Sequence, residues 1–211
     1  DKPFFDRAGQ GRYSPASTIK PAIGLFGIEK GLIDWEFTIE DIGFFTLPED
    51  GRIYRGWKKG GHGKINLQDA IIESSNTFFF SLAYKTEVEE LIEHLSNFGF
   101  GKNVCSDCFF PDMGLLPSPV WKMNTHNFGW FKGDTVNLGV GQGYLSATPL
   151  QLAYYSAFIA NTGNLNNFSF VPDNKVKTKN NFISNNINDN DWNRIHQSMI
   201  GVIESPKGTA G

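Results

Sequence analysis

Apolar residues recur at Ile19, Ile23, Leu25, Phe26 and Ile28 along S-T-I-K-P-A-I-G-L-F-G-I-E-K, residues 17–30, and the pattern stops at Gly31. That spacing predicts a mostly buried helix. A serine is a favoured helix N-cap, and glycine just past the last turn is a usual stop. Pro21 falls within the first turn or so, where a missing N–H costs little. Residues 32–65 are mixed and carry glycines at 43, 51, 56, 60, 61 and 63, which predicts short strands and loops. Leu67 to Ile72 reads as a short helix ending near Glu73. F-F-F-S-L-A-Y-K, capped by Asn76 or Thr77, and E-V-E-E-L-I-E-H-L-S-N-F make two more helices before the breaker G-F-G at 99–101.

From Asn103 to Asp134 proline, glycine and aromatic residues follow without clear period, and the stretch reads as ordered loop. Thr148 as cap, Pro149 at the first helical position and Gly163 beyond the end predict a helix over T-P-L-Q-L-A-Y-Y-S-A-F-I-A-N-T-G. Residues 173–191, rich in Asn, Asp and Lys, read as a solvated connector, and Asp191 to Glu204 as a final amphipathic helix. Helices dominate.

The 211 residues are 40% hydrophobic with a formal net charge of −3, which suits one globular domain able to bury a core. No dense basic run offers an electrostatic footprint for nucleic acid. No apolar stretch approaches the ~20 residues of a spanning helix. The chain opens on Asp1 without a targeting segment and reads as a piece of a longer protein. Its two cysteines, in C-S-D-C at 105–108, supply half of a zinc site at most. They fit a local disulfide, a redox pair or two loop thiols.

Chemistry enters at Ser17 and Lys20, which a helix brings onto one face, one turn apart. A serine hydroxyl becomes a useful nucleophile only when a neighbouring base takes its proton. Lysine serves if burial or positive potential lowers its pKa, and Lys20 opens an apolar helix. The helix N-terminus would favour an oxyanion beside Ser17. By itself S-x-x-K is common, and a capping serine before an exposed lysine explains it equally well. E-S-S-N at 73–76 adds a hydroxyl, Ser74, that can pass protons and a carboxamide, Asn76, that can bond a substrate amide. Ser74, Ser75 and Asn76 also read simply as caps for the helix near Phe78. S-x-x-K followed by S-x-N is the arrangement of penicillin-recognising serine enzymes.

R-Y-S-P-A-S-T-I-K-P-A-I-G-L, the W-K-K-G-G-H-G stretch, F-G-F-G-K-N-V-C, G-L-L-P-S-P-V-W-K and G-V-G-Q-G-Y-L-S-A-T-P-L-Q together resemble class B penicillin-binding proteins, above all those of the elongation type. The similarity runs from about residue 3 to 163 and resumes at D-W-N-R-I-H-Q-S-M-I-G. It implies an α/β (α+β) fold of the transpeptidase and serine β-lactamase kind. Residues 1–211 would be a partial domain, mostly the helical lobe, with core-sheet strands lying beyond both ends. By the same resemblance Ser17 is the acylated serine, Lys20 its base and Ser74 the proton relay. Asn76 would contact the donor stem peptide, where many relatives have Asp. The implied partners are peptidoglycan stem peptides ending in D-Ala–D-Ala, β-lactam antibiotics, and elongation-machinery membrane proteins that dock on an N-terminal region outside this chain. The implied location is the periplasmic face of the inner membrane, with an anchor in that same region. No cofactor is implied.

Three departures qualify these expectations. The K-[ST]-G motif is absent, and K-G-T-A-G at 207–211 matches the G-T-A that precedes that strand. The piece alone is therefore expected to be inactive and marginally stable. Some relatives hold a structural zinc through two Asp, one His and one Cys. Asp41 and His62 match two of these, but Gly56 and Ser75 stand at the others, so no zinc is expected and His62 reads as a loop hydrogen-bonder. C-S-D-C lies outside the family pattern. A serine β-lactamase or a non-catalytic β-lactam sensor are the other readings of the same motifs.

Overall fold

A computed structural model describes residues 4–109, 111–171, 179–182, 184 and 186–211. The order is α1 (Arg7–Gln10), a 3-10 turn (Ala16–Ile19), α2 (Lys20–Glu29), β1 (Ile39–Asp41), β2 (Phe44–Thr46), β3 (Ile53–Arg55), β4 (Gly63–Ile65), α3 (Leu67–Ile72) and α4 (Asn76–Tyr84). There follow α5 (Val88–Asn97), α6 (Pro119–His126), α7 (Lys132–Leu138), α8 (Pro149–Ala160), β5 (Asn164–Asn166), β6 (Lys179–Asn181) and α9 (Asp189–Glu204). The strands form three antiparallel pairs, β1 with β4, β2 with β3 and β5 with β6. The mixed, helix-dominated architecture expected from the sequence is present, and among the described residues no sheet is wider than two strands.

α2 lies at the centre because it is apolar on every side, and such a helix must be covered all round. Ile19, Ala22, Ile23, Leu25 and Phe26 are fully buried. α3, α4, α5 and α9 pack against it. His94 ties α5 to α2 by bonding the Glu29 carboxylate at 2.8 Å and the Ala22 carbonyl at 2.9 Å. Thr148 and Gln151 form the capping box that starts α8, as its sequence signals predicted.

Three expectations need correction. Ser17 is not a cap but sits inside the 3-10 turn, and α2 proper begins at Lys20. The cap of α4 is Ser75, whose hydroxyl accepts the Phe78 N–H at 3.2 Å, rather than Asn76 or Thr77. The stretch 103–134 is not all loop. Ser118 caps α6 by accepting from the Trp121 N–H at 3.1 Å, and Pro119 occupies its first turn. The S-P signal was there, but aromatic and polar residues masked any 3.6-residue period. Of the expected connector over 173–191, residues 173–178, 183 and 185 lie outside the described residues, while Lys179–Asn181 form β6 and α9 already begins at Asp189.

Cys105 and Cys108 are joined in a disulfide. The enclosed Asp107 accepts from the Phe170 and Val171 N–H groups at 3.0 and 2.8 Å, so the loop clasps the segment after β5. So small a loop restrains the unfolded chain by only about 2 kcal/mol. A Cys105→Ser/Cys108→Ser variant is therefore expected to melt a few degrees lower, with faster amide exchange at Phe170 and Val171 but not in α2.

Candidate active site

Lys20 is 1% exposed, and its ammonium has three acceptors. Nζ donates to the Ser74 carbonyl at 2.8 Å, to Ser74 Oγ at 3.0 Å and to Asn76 Oδ1 at 2.7 Å. The two carbonyl-type oxygens can only accept, but a hydroxyl can also donate. Ser74 Oγ is therefore the one of the three partners that can also pass a proton to or from Lys20. Burial lowers the Lys20 pKa to about 7, against a smaller upward pull from the Asp41 carboxylate. A lysine poised there spends about half its time neutral near pH 7.

Ser17 is exposed, one turn before Lys20, and the Lys20 N–H closes that turn on the Ser17 carbonyl. Ser17, Lys20 and Ser74 share one cavity of about 350 Å³, with Ile71, Tyr155 and Thr209 among its walls. Asn76 enters through its bond to Lys20. The sequence-predicted residues thus come together, with 54 positions between Lys20 and Ser74.

Both turns are held in uncommon backbone conformations. Ala16, just before Ser17, has φ +49°, and Ser74 has φ +52°. Non-glycine residues persist there only where the surroundings over-determine them. At Ala16 the surroundings are Gly141, whose carbonyl accepts from the Ala16 N–H at 2.9 Å and from Ser14 Oγ at 2.6 Å. At Ser74 they include Trp57, whose indole N–H bonds the Glu73 and Ser74 carbonyls at 3.1 and 3.2 Å. Sequence reasoning missed both supports, although G-V-G-Q-G and W-K-K-G-G-H-G were the blocks that contained them.

Behind the site lies a second cluster. Asp41 Oδ2 accepts from Ser75 Oγ and from His62 Nδ1, each at 2.6 Å, and Oδ1 accepts from the Gly43 N–H at 2.8 Å. Burial pushes the Asp41 carboxyl up, but the bonds from Ser75, His62 and Gly43 outweigh it and hold it below the usual carboxylate range. These residues do not fit a zinc. Ligand atoms about 2.0–2.1 Å from a tetrahedral metal stand roughly 3.3 Å from one another, whereas Asp41 Oδ2 is in direct hydrogen bonds with both neighbours. Ser75 offers a neutral hydroxyl and Gly56 no side chain. Among the described residues, the one cluster of three or more His, Cys, Asp and Glu close enough for a metal is Cys105, Asp107 and Cys108, and its thiols are in the disulfide. His62 does serve as a loop hydrogen-bonder.

An exposed serine in a 3-10 turn and, one turn on, a buried lysine that opens a buried helix and bonds an S-x-N turn define a class. The chain belongs to the penicillin-binding protein transpeptidase domain family, which it matches over residues 1–211. Within that class it is 39% identical, over 99% of its length, to the peptidoglycan D,D-transpeptidase MrdA of Acinetobacter baumannii, and 33% identical to MrdA of Escherichia coli K12. It covers 32% and 34% of those proteins, so it spans about a third of the curated relatives it matches. Among solved structures it is similar to Pseudomonas aeruginosa PBP2 in complex with WCK 5153, with TM-score 0.91 and 34% identity over 99% of this chain and 48% of that one. It is also similar to PBP2 from Helicobacter pylori in complex with MreC, with TM-score 0.85 and 30% identity over 99% of this chain and 38% of that one.

Proposed function

We propose that residues 1–211 are part of the transpeptidase domain of a longer peptidoglycan D,D-transpeptidase of the elongation type. Ser17 is its nucleophile, Lys20 its base, Ser74 its proton relay and Asn76 a substrate contact. The observation that carries this reading is the buried Lys20 amine, lowered to about 7 and bonded to Ser74 and Asn76, in one cavity with exposed Ser17.

Neutral Lys20 takes the Ser17 proton as Oγ attacks the carbonyl of the penultimate D-Ala. The peptide C–N bond breaks, the proton passes through Ser74 to the departing D-Ala amine, and an acyl-enzyme remains on Ser17. An amine of a neighbouring stem peptide then attacks the ester, loses its proton through the same groups and frees Ser17. A β-lactam follows the first half, but its leaving amine stays tethered and the acyl-enzyme persists. The parent protein acts at the periplasmic face of the inner membrane, held there with its elongation partners through a region N-terminal to this chain.

Intact-mass spectrometry of this chain, and of a version extended through the next K-[ST]-G, each with a penicillin, tests the reading. A single adduct on the extended protein, lost in Ser17→Ala and absent from the 211-residue piece, is the expected result. An extended protein without an adduct would overturn the mechanism, and fast turnover of the penicillin would make it a β-lactamase. Charge at position 76 supplies a further prediction. In Asn76→Asp a carboxylate meets the Lys20 ammonium directly and raises its pKa by about 1–3 units. Acylation at pH 7 should fall roughly five- to five-hundredfold and recover only as pH passes the raised value, about 8–10. A pH–rate profile shows this as an alkaline shift of its rising limb.

A further inference from the structure

We propose that Asp41 is a positioning residue for the Lys20 site, acting through Ser75. The inference rests on the reading of Ser17 and Lys20 given above. Asp41 ends β1, paired with Gly63 of β4 and bonded to the Gly43 N–H, so its own position is fixed on the strand side. Its free oxygen is taken by Ser75 and His62. Bonds to an ionised carboxylate are about twice as strong as neutral ones.

Ser75 is fully buried and its one hydroxyl has two tasks. It donates to Asp41 and accepts the Phe78 N–H that starts α4. Ser74 and Asn76, the residues that hold Lys20 Nζ, are its immediate neighbours in the chain. The Ser74 carbonyl that accepts from Lys20 Nζ lies in the peptide unit shared with Ser75, so a shift of Ser75 moves it directly. Asp41 therefore sets the Lys20 site without touching it.

The test uses the full-length protein and reads the rate of penicillin acylation at Ser17 by mass, together with the melting temperature. Asp41→Asn and Ser75→Ala are expected to remain folded and to acylate about tenfold or more slowly, as loss of a supporting hydrogen bond does at other sites. Ser118→Ala, which loses a cap on α6 far along the chain, should melt lower and keep its rate. Ser75→Thr, which keeps the hydroxyl that donates to Asp41, should regain most of the rate that Ser75→Ala loses. That rescue separates positioning from simple stability. Unchanged rates in both Asp41→Asn and Ser75→Ala would overturn the proposal, as would one zinc per chain in the parent. A parent protein that penicillin does not acylate would instead overturn the functional reading on which the proposal stands.

Discussion

Lys20→Met is expected to slow acylation by a penicillin about 10³-fold or more, at the upper end of what removing a general base costs. Methionine fills much of the same space but cannot take the Ser17 proton. The variant also exposes the stability cost of the buried amine. In the unfolded chain the Lys20 pKa is near 10.5, and in the folded protein burial lowers it to about 7. Between those values the unfolded state binds one more proton, so this group makes stability rise with pH. The cost is fully present below pH 7, on the order of 5 kcal/mol, and fades as pH approaches 10.5. Urea denaturation of both proteins at pH 6 and pH 9 checks the sign. The Met variant should gain relative to the parent at pH 6, and that advantage should shrink at pH 9. The hydrogen bonds lost with the amine add an offset that does not depend on pH. A pH-independent difference would mean that Lys20 is not held neutral by its surroundings.

The cost of burial explains why the site has its form. Ser74 and Asn76 supply oxygen acceptors but no charge, so they orient the amine without restoring the pKa that burial removed. The negative charge of Asp41 sits one residue further back, bonded to Ser75, where it raises the amine only partially.

Local signals made much of this legible in the sequence. The i, i+3 spacing placed Ser17 and Lys20 on one face because helical geometry repeats every 3.6 residues. Thr148, Pro149 and Gly163 announced α8 because helix start and stop signals are local in the chain. The limits of α3 at Leu67 and Ile72 came from the same kind of reading. Contacts between distant segments were not legible. Nothing in E-S-S-N itself says that Ser75 faces Asp41, which stands 34 residues earlier; only the family resemblance set those two positions at one place. Trp57 stood in a recognised block, but its bond to the Ser74 carbonyl depends on how the β1–β4 region folds over α3. α6 was missed for a different reason. Its buried face is narrow, with Lys122 its one buried residue, paired with Asp134, so an apolar period never forms.

Gly141 carries a severe long-range constraint directly behind the nucleophile, and Gly141→Ala is expected to slow acylation about 100-fold, the scale of a misplacement near 1 Å. A methyl there would stand 2.2 Å from the Ala16 carbonyl oxygen and 2.8 Å from its nitrogen. Both are backbone atoms and cannot swing aside as a side chain would. Gly141 also has φ +71°, which L residues adopt at a cost of about 1 kcal/mol or more. Ala16 already has φ +49° and carries Ser17 directly after it, so displacement passes straight to the nucleophile. Gly31→Ala is the matched control. It has φ +64° but nothing within 4 Å of the added carbon, so it bears only the conformational cost, about 1 kcal/mol. Both variants should melt lower, and only Gly141→Ala should lose its reaction with penicillin. Equal acylation rates in the two would show that the Ser17 turn holds its place without the Gly141 backbone behind it.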